Sequence, residues 1–267
     1  MESDSRDNTL QIKEEHLENL YKFAIKIKDN EEEYFMILER LLYLLLELLK
    51  TNPTPSLTFD PLSLLNEFVD VFNKKAVESF EGQNLEQAHK EISRVFDILH
   101  QDNILAIYKE NEKLLEAQIL TYNNLSCIFR KGANLTKSLM VLNHACAMEE
   151  KLVKHNYGSS AVSIISTYLN KCAILSEMKR HAEAIEAAKT AMEHIQAALV
   201  NKSLGADQLS EARYFEMLCN YNLGAEYDHL RQKEKASYYY NKSLTLAKEI
   251  KNENFITQLQ NALRNLK

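Results

Sequence analysis

The sequence has few of the residues that interrupt regular secondary structure. Its 267 residues include five glycines, three prolines and no tryptophan. All-β folds and doubly wound α/β folds need turn-forming residues at short intervals, and this sequence has too few of them. Leucine, alanine, glutamate, lysine and glutamine, which favour helices, are common instead. Because 45% of the residues are hydrophobic, the chain can also bury a continuous core. The sequence therefore predicts an all-α fold.

The sequence also lacks the motifs of several common classes of enzyme. It contains no G-x-S-x-G, P-loop, H-E-x-x-H or dinucleotide-binding fingerprint. The eight histidines are scattered without metal-ligand spacing, and the four cysteines form no C-x-x-C pair. We therefore expect no enzymatic activity, no metal site and no cofactor, and we interpret the cysteines as reduced thiols in the core.

Charge and hydropathy argue against two further classes of partner. The formal net charge is −6 at pH 7 without a clustered basic face, so we expect no nucleic acid partner. The apolar run from Leu38 to Leu49 is interrupted by charged residues and is too short to span a bilayer. It predicts a buried helix and no membrane insertion. The amino terminus lacks the pattern of a secretory signal, which predicts a cytoplasmic protein.

A spacing of small side chains recurs four times along the chain. Its anchors are Ala88, Ser138, Ala184 and Ala236, which lie 50, 46 and 52 residues apart. Each anchor has a small residue before it, an apolar residue after it, and then a small or apolar residue. In chain order these are Ala76, Ile92 and Val95; Ser126, Leu142 and Ala145; Cys172, Ala188 and Ala191; and Gly224, Tyr240 and Ser243.

This pattern resembles the tetratricopeptide repeat, in which the small residues stand at positions 8, 20 and 27 of a helix-turn-helix unit. The standard unit has about 34 residues, so the longer spacing here predicts longer helices. In this respect the chain is similar to the long-helix repeats of kinesin light chains and to repeat proteins of ciliates. The resemblance implies an α-solenoid of about four helix pairs with a concave, protein-binding groove. Lys171 departs from the pattern at position 7, where an apolar residue is expected.

The chain divides into four predicted segments. Residues 1–52 form an N-terminal helical pair or cap, and the prolines of residues 53–60 predict a linker. Residues 61–251 form the repeat array, and residues 252–267 form a capping helix with one apolar stripe. The sequence leaves open whether the N-terminal helices cover the array or fold back into its groove.

Local signals predict where individual helices begin and end. Asp60 followed by proline, and Asn134, are expected to cap helix starts, while Asn84 and Gln87 resemble a capping box. The predicted helices include segments over about 10–28 and 31–50, and one long helix over about 104–131. A glycine-containing turn is expected over 156–159.

The family resemblance also implies a candidate binding site. Among the positions that it places on the groove are 2, 5 and 6 of the first helix of each pair. Position 6 is asparagine in three copies, and position 5 is Asn73 in the first copy and Asn123 in the second. An asparagine amide can bond to both the N–H and the carbonyl of an extended peptide. Alternatively, an exposed helix simply tolerates asparagine at little cost. The candidate peptide-binding residues are Asn123, Asn124, Cys127, Leu169, Asn170, Leu218, Tyr221 and Asn222.

The sequence therefore predicts a non-catalytic interaction module or adaptor that binds an extended segment of a protein or peptide partner. The alternative is a structural scaffold subunit of a larger complex, such as a cytoskeletal or ciliary (axonemal) assembly. The surface sequence Tyr238-Tyr-Tyr240 motivates that alternative. In that case we expect the protein to lie in a cytoskeletal or ciliary structure of the cytoplasm.

Overall fold

The computed structural model describes residues 2–154, 160–200 and 205–266. These residues form helices, turns and short connections, with no strand among them. The chain divides into two compact units, Met1–Ile128 (unit 1) and Phe129–Lys267 (unit 2). The fold class predicted from the sequence is confirmed.

The helices of the described residues are long, as the repeat spacing predicts. Unit 1 contains α1 (Glu2–Lys26), α2 (Glu31–Thr51), α3 (Pro61–Glu81), α4 (Leu85–Leu99) and α5 (Asp102–Tyr108). Helix α6 (Glu112–Lys131) crosses the boundary between the units. Unit 2 contains α7 (Leu135–Lys154), α8 (Ser160–Glu177), α9 (His181–Val200), α10 (Ala206–His229), α11 (Lys233–Glu249) and α12 (Glu253–Asn265). We call α3, α6, α8 and α10 the A helices, and α4, α7, α9 and α11 the B helices.

In unit 1 the N-terminal helices pack against the first repeat pair. Helix α1 packs on α2, α2 packs on α3 and α5, and α3 packs on α4. Seven leucines of α2 are buried, and the ring of Phe35 on α2 stacks on Phe72 of α3 with centroids 4.3 Å apart. Within this unit α2 therefore covers α3, as a cap does, and the apolar run of the sequence forms part of the core.

The connection between α2 and α3 has no helix but is fixed to α1. The Asn52 side chain and the Ser56 N–H both donate to Glu14 Oε1, each at 3.0 Å. The Thr58 N–H donates to Glu18 Oε1 at 2.8 Å. These bonds hold the segment inside unit 1, whereas the four segment boundaries drawn from the sequence stay a prediction.

Unit 2 is held together by small side chains between closely packed helices. Helix α8 packs on α7, α9 and α10, while α10 packs on α9 and α11, and α11 packs on α12. Ala184 and Ala236, two of the repeat anchors, have no exposed surface. A Cβ atom on Gly224 would lie only 2.6 Å from Cδ1 of Tyr240, so glycine is needed there for the approach of α10 to α11.

The same turn ends five of the helices. In each turn one residue has a positive φ, its N–H bonds to the carbonyl three residues back, and the next N–H bonds five residues back. At Lys179, for example, these bonds reach Ser176 at 2.8 Å and, from Arg180, Leu175 at 2.9 Å. This is a Schellman arrangement in which a residue other than glycine takes the left-handed conformation. The residues are Gln83, Ala133, Lys179, Arg231 and Lys251.

Four of these turns precede the four repeat anchors by the same number of residues, which confirms the register derived from the sequence. All four anchors are fully buried, including Ala88 of the first copy. The caps predicted at Asp60 and Asn134 are also confirmed. The Asp60 carboxylate accepts from the N–H groups of Leu62 and Ser63, and Asn134 Oδ1 accepts from the Lys137 N–H at 3.2 Å.

The prediction of one helix over 104–131 is wrong, because the helix is interrupted between α5 and α6. Asn111 Oδ1 accepts from the N–H groups of Lys113 at 2.9 Å and Leu114 at 3.4 Å. The asparagine thus caps a new helix start. Near the amino terminus, α1 begins at Glu2 instead of near residue 10. The turn predicted over 156–159 lies outside the described residues.

The predicted capping box at the start of α4 is only half present. Asn84 Oδ1 accepts from the Gln87 N–H at 3.1 Å, as expected. However, the Asn84 N–H is bonded to the Ser79 carbonyl in the turn, and the Gln87 side chain donates to Glu91. The turn therefore satisfies the donor that a capping box would use.

Candidate functional site

In unit 1 the asparagines of the predicted groove bond to each other. Asn124 Nδ2 donates to Asn73 Oδ1 at 2.8 Å, and Asn73 Nδ2 donates to Thr121 Oγ1 at 3.3 Å. Asn73 is only 4% exposed. Asn123 Nδ2 donates to the Ile119 carbonyl of its own helix at 3.2 Å. The two A helices α3 and α6 are therefore joined by the polar groups that the sequence assigns to a ligand.

In unit 2 the side chains of the corresponding asparagines have no hydrogen-bond partner among the described residues. Asn170 on α8 and Asn222 on α10 are half-buried, and neither side chain forms a hydrogen bond with any other described residue. Helices α8 and α10 pack side by side, so the same repeat position recurs on neighbouring A helices. One turn further along, Ala173 and Ala225 are small and half-buried. Their short side chains leave space beside the two amide groups.

The other predicted site residues are partly or wholly engaged within the fold. Leu169 is 7% exposed and belongs to the core of unit 2, and Leu218 packs against that core. The hydroxyl of Tyr221 accepts a hydrogen bond from Gln258 Nε2 of α12 at 2.8 Å, and its ring lies edge-on to Phe255 at 5.2 Å. Helix α12 therefore uses part of the predicted surface. In unit 1, Cys127 is half-buried.

A cleft of about 520 Å³ lies between the A helices α3 and α6 in unit 1. It includes Asp70 and Leu120, which stand at position 2 of their repeats, on the side that the family resemblance assigns to the groove. Glu67, which is ion-paired, and Glu116 add further acid, while Lys113 adds one positive charge to the lining. Burial together with the charge of Glu67 raises the pKa of Asp70. No prediction from the sequence covered this acidic cleft, although acidic residues at position 2 and one turn before it were a signal for it.

A second cleft, of about 460 Å³, lies in unit 2 between the B helices α7 and α9, with α8 at its base. We call it the α7–α9 cleft. Tyr168 and Lys171 of α8 line it, together with Leu139 and Asn143 of α7 and Thr190 of α9. Lys171 departs from the repeat pattern in the sequence, but no local pattern connects it with a binding site.

Buried carboxyl groups in unit 2 have hydrogen-bond or ion-pair partners within the fold. Glu226 is 2% exposed, and its Oε2 lies 2.7 Å from Nδ1 of His181, whose ring stacks on His229 at 4.5 Å. The fully buried Glu149 accepts from the hydroxyl of Thr167 at 3.3 Å. These groups hold helices together and are not exposed to a substrate.

The buried thiols of unit 2 do not form a reactive site. Burial raises the pKa of Cys146 to about 11 and that of Cys219 to about 12. Both side chains therefore remain protonated at neutral pH and are poor nucleophiles. The thiol of Cys219 instead donates to the Ala188 carbonyl at 3.0 Å.

Two further findings concern the described residues alone. They contain no group of three or more histidine, cysteine, aspartate or glutamate side chains that could hold a metal ion. None of their helices combines the length and apolar character needed to cross a membrane.

Comparisons with known proteins give structural matches only. No protein-family model matches the sequence, and no curated protein matches it. One similar solved structure is a signal transduction ATPase with numerous domains and a tetratricopeptide repeat sensor, from Pyrococcus horikoshii. It has a TM-score of 0.58 and 16% identity, over 96% of this chain and 37% of that protein. The chain thus spans little more than a third of that protein's length.

Two other structures extend the comparison. BtubC (BKLC) from P. vanneervenii has a TM-score of 0.55 and 14% identity, over 91% of this chain and 92% of its own. A putative kinesin light chain from Podosopora anserina with nearly identical TPR-like repeats has a TM-score of only 0.44 and 11% identity, over 89% and 97% of the two chains. We draw no argument from that last match. The first match, the five equivalent turns and the buried anchors show that this chain has the fold of a tetratricopeptide repeat protein.

Proposed function

We propose that the chain is a non-catalytic protein-interaction scaffold that binds an extended segment of a partner along its A helices. The observation that carries this proposal is the pair of open asparagines, Asn170 and Asn222, at equivalent positions on the neighbouring helices α8 and α10. A half-buried amide without an internal partner favours a ligand that supplies a donor and an acceptor. A peptide backbone supplies both at regular intervals.

The surroundings of the two amides also favour a backbone ligand. Ala173 and Ala225 leave room beside them for a main chain, and the half-buried Leu218 offers an apolar contact. In unit 1, the cleft between α3 and α6 lies on the corresponding A helices and carries Asp70, Glu67 and Glu116. It would favour a basic or polar part of a partner.

The proposal is tested with peptides that are selected from a random displayed library for binding to the purified full chain. We expect Asn170→Ala combined with Asn222→Ala to weaken binding of a selected peptide about tenfold, because two hydrogen bonds are lost. N-methylation of the peptide's bonded amides should weaken it similarly, since the asparagines contact its backbone. Isothermal titration calorimetry measures both affinities.

Asn241→Ala is the matched control, because Asn241 is exposed on the B helix α11 and its amide bonds only to Ser237 of the same helix. It should leave the affinity unchanged. If the double variant binds selected peptides as tightly as the unaltered chain, the asparagines do not hold the ligand and the proposal is rejected.

A structural subunit of a larger assembly, cytoskeletal or ciliary, is the second candidate. Tyr238 is 54% exposed on α11, with Lys242 Nζ 4.9 Å from its ring centroid, and neighbouring Tyr239 stacks on Tyr227 at 5.4 Å. Such rigid aromatic surfaces are enriched in protein interfaces. A photoreactive residue at position 238 would cross-link neighbours in cells. Cross-links only from position 222 would exclude this candidate.

A further inference from the structure

The α7–α9 cleft lies apart from the proposed peptide site. Its walls come from the B helices α7 and α9, and neither Asn170 nor Ala173 lines it. Its volume of about 460 Å³ is within the usual range for ligand pockets. The proposed function makes no use of this cleft, so an inference about it can succeed or fail independently.

Lys171 is the unusual residue of the cleft. The same repeat position is Leu125 in the second copy and Leu223 in the fourth, and both are buried. Lys171 is half-buried and forms no ion pair with any of the described residues. Its charge nevertheless acts on the cleft, because the hydrogen bond from Arg180 and the charge of Lys171 both lower the pKa of Glu183. The other charges in the cleft are already paired. Arg180 Nε donates to Glu183 at 2.7 Å, and Glu186 accepts from Lys189 at 2.8 Å.

Unit 1 contains a lysine at the same repeat position, and there its ammonium group is covered. Lys75 Nζ lies 3.0 Å from the ring centroid of Phe35, which α2 supplies. The same Phe35 ring stacks on Phe72, at position 4 of the repeat, with centroids 4.3 Å apart. An aromatic ring therefore contacts both the position-4 ring and the position-7 ammonium in that copy.

The third copy has the same two groups, but no ring of α7 lines the cleft beside them, and the Tyr168 ring stacks instead on His194 of α9 with centroids 5.9 Å apart. Tyr168 stands at position 4, and Lys171 Nζ lies 5.8 Å from its ring centroid. Both side chains line the cleft, while the preceding B helix α7 contributes only Leu139 and Asn143. The Tyr168 hydroxyl donates to Glu150 at 2.6 Å, which fixes the ring. The position of the aromatic group is thus prepared before any ligand arrives.

We propose that the α7–α9 cleft binds an aromatic side chain of a partner protein beside the Tyr168 ring and against the Lys171 ammonium group, which turns away from Tyr168 to receive it. Lys171 attracts the face of the aromatic ring through a cation–π interaction, and Tyr168 provides a stacking surface. Unit 1 shows that this chain already forms such an arrangement, with Phe35 as the ring. An aliphatic side chain would gain apolar contact but not the cation–π attraction.

The test is an NMR titration of the isotope-labelled full chain with N-acetyl-phenylalaninamide and with N-acetyl-cyclohexylalaninamide. The two probes share a six-membered apolar ring, but only the first has an aromatic face. We expect the phenylalanine probe to shift the signals of Lys171 and Thr190 and to bind about threefold or more tightly than the cyclohexyl probe.

Two variants complete the test. Lys171→Met restores an apolar residue at position 7, so it should fold, and it should remove the difference between the probes. Thr190→Trp fills the cleft from α9 and should prevent binding of both probes. Lys248→Met, an exposed lysine of α11 outside the cleft, is the control and should change nothing. Equal affinities for the two probes in the unaltered chain, no effect of Lys171→Met, or no binding at all would overturn the proposal.

Discussion

The two units use equivalent repeat positions in opposite ways. In unit 1, Asn124 bonds to the buried Asn73, and Lys75 is covered by Phe35. In unit 2, the side chains of Asn170 and Asn222 form no hydrogen bond with any other described residue, and Lys171 faces an open cleft. Unit 1 thus satisfies internally the groups that unit 2 leaves available.

The difference comes from the neighbouring elements and not from the repeat itself. In unit 1, α2 supplies the ring that covers Lys75, and Asn73 stands within reach of Asn124. In the third copy, Leu169 occupies the position that Asn73 has in the first, and no aromatic residue of α7 lines the cleft. A repeat motif therefore fixes the helices, while the adjacent side chains decide which surfaces can bind a partner.

We expect the largest loss of stability when the partner of the buried Glu226 in unit 2 is removed. His181→Ala removes the partner of Glu226, whose side chain is only 3% exposed, and should lower the free energy of unfolding by about 3 kcal/mol. Lys28→Ala in unit 1 removes an ion pair with Glu67 in which the lysine side chain is 61% exposed, and it should change stability little. Urea denaturation followed by circular dichroism measures both.

Glu226→Gln is the informative control for that pair. Because it removes the charge that needs a partner, adding His181→Ala to it should cost much less than His181→Ala costs alone. Equal effects of His181→Ala in both backgrounds would show that the charge of Glu226 does not set the penalty.

An intermediate effect is expected at position 8 of the repeat. Gly224→Ala introduces the residue that unit 1 has there as Ala76, yet it should destabilise the chain by about 2 kcal/mol. The reason is the Tyr240 ring, whose Cδ1 would lie 2.6 Å from the new Cβ. Thermal unfolding and urea denaturation both report the change.

The double variant Gly224→Ala with Tyr240→Ile reproduces the pair that unit 1 forms from Ala76 and Ile92. We expect the alanine to cost less in the Tyr240→Ile background than in the unaltered chain, because the isoleucine leaves room for the new methyl group. An alanine that is equally costly in both backgrounds would mean that the backbone of α10, and not the tyrosine, limits the space.

The smallest expected effect separates the two kinds of asparagine. Asn73→Ala removes two side-chain hydrogen bonds of unit 1 and should lower the free energy of unfolding by about 1–2 kcal/mol. Asn170→Ala in unit 2 removes no side-chain hydrogen bond to another described residue and should change stability by less than about 0.5 kcal/mol. Chemical denaturation of the two single variants makes the comparison. A larger loss from Asn170→Ala would show that its amide has a structural role.

Local patterns predicted the fold because they depend on short-range chemistry. Small residues such as Ala184 and Ala236 recur at positions that only close helix packing explains, and the structure buries them completely. The capping aspartate, Asp60, was also recognisable from its neighbours along the chain. The break at Asn111 was missed because the apolar residues on both sides of it continue a helical pattern, and a single asparagine can equally stay within a helix.

The candidate site was less predictable. Asn73 and Asn124 are 51 residues apart in sequence, and no local pattern shows that they bond. The contact of Tyr221 with Gln258 of α12 is equally non-local. The unusual residue Lys171 was visible in the sequence, but the cleft beside it was not, because the space depends on side chains from three helices.

Long paired helices and the small residues that lie between them could be predicted from the order of residues along the chain. These features follow from helix propensity, capping and side-chain size, all of which act over a few residues. Which asparagines are used within the fold, which lysine is covered and where clefts remain became clear only when the helices were packed together. Those outcomes depend on contacts between distant segments, which the order of residues along one helix does not specify.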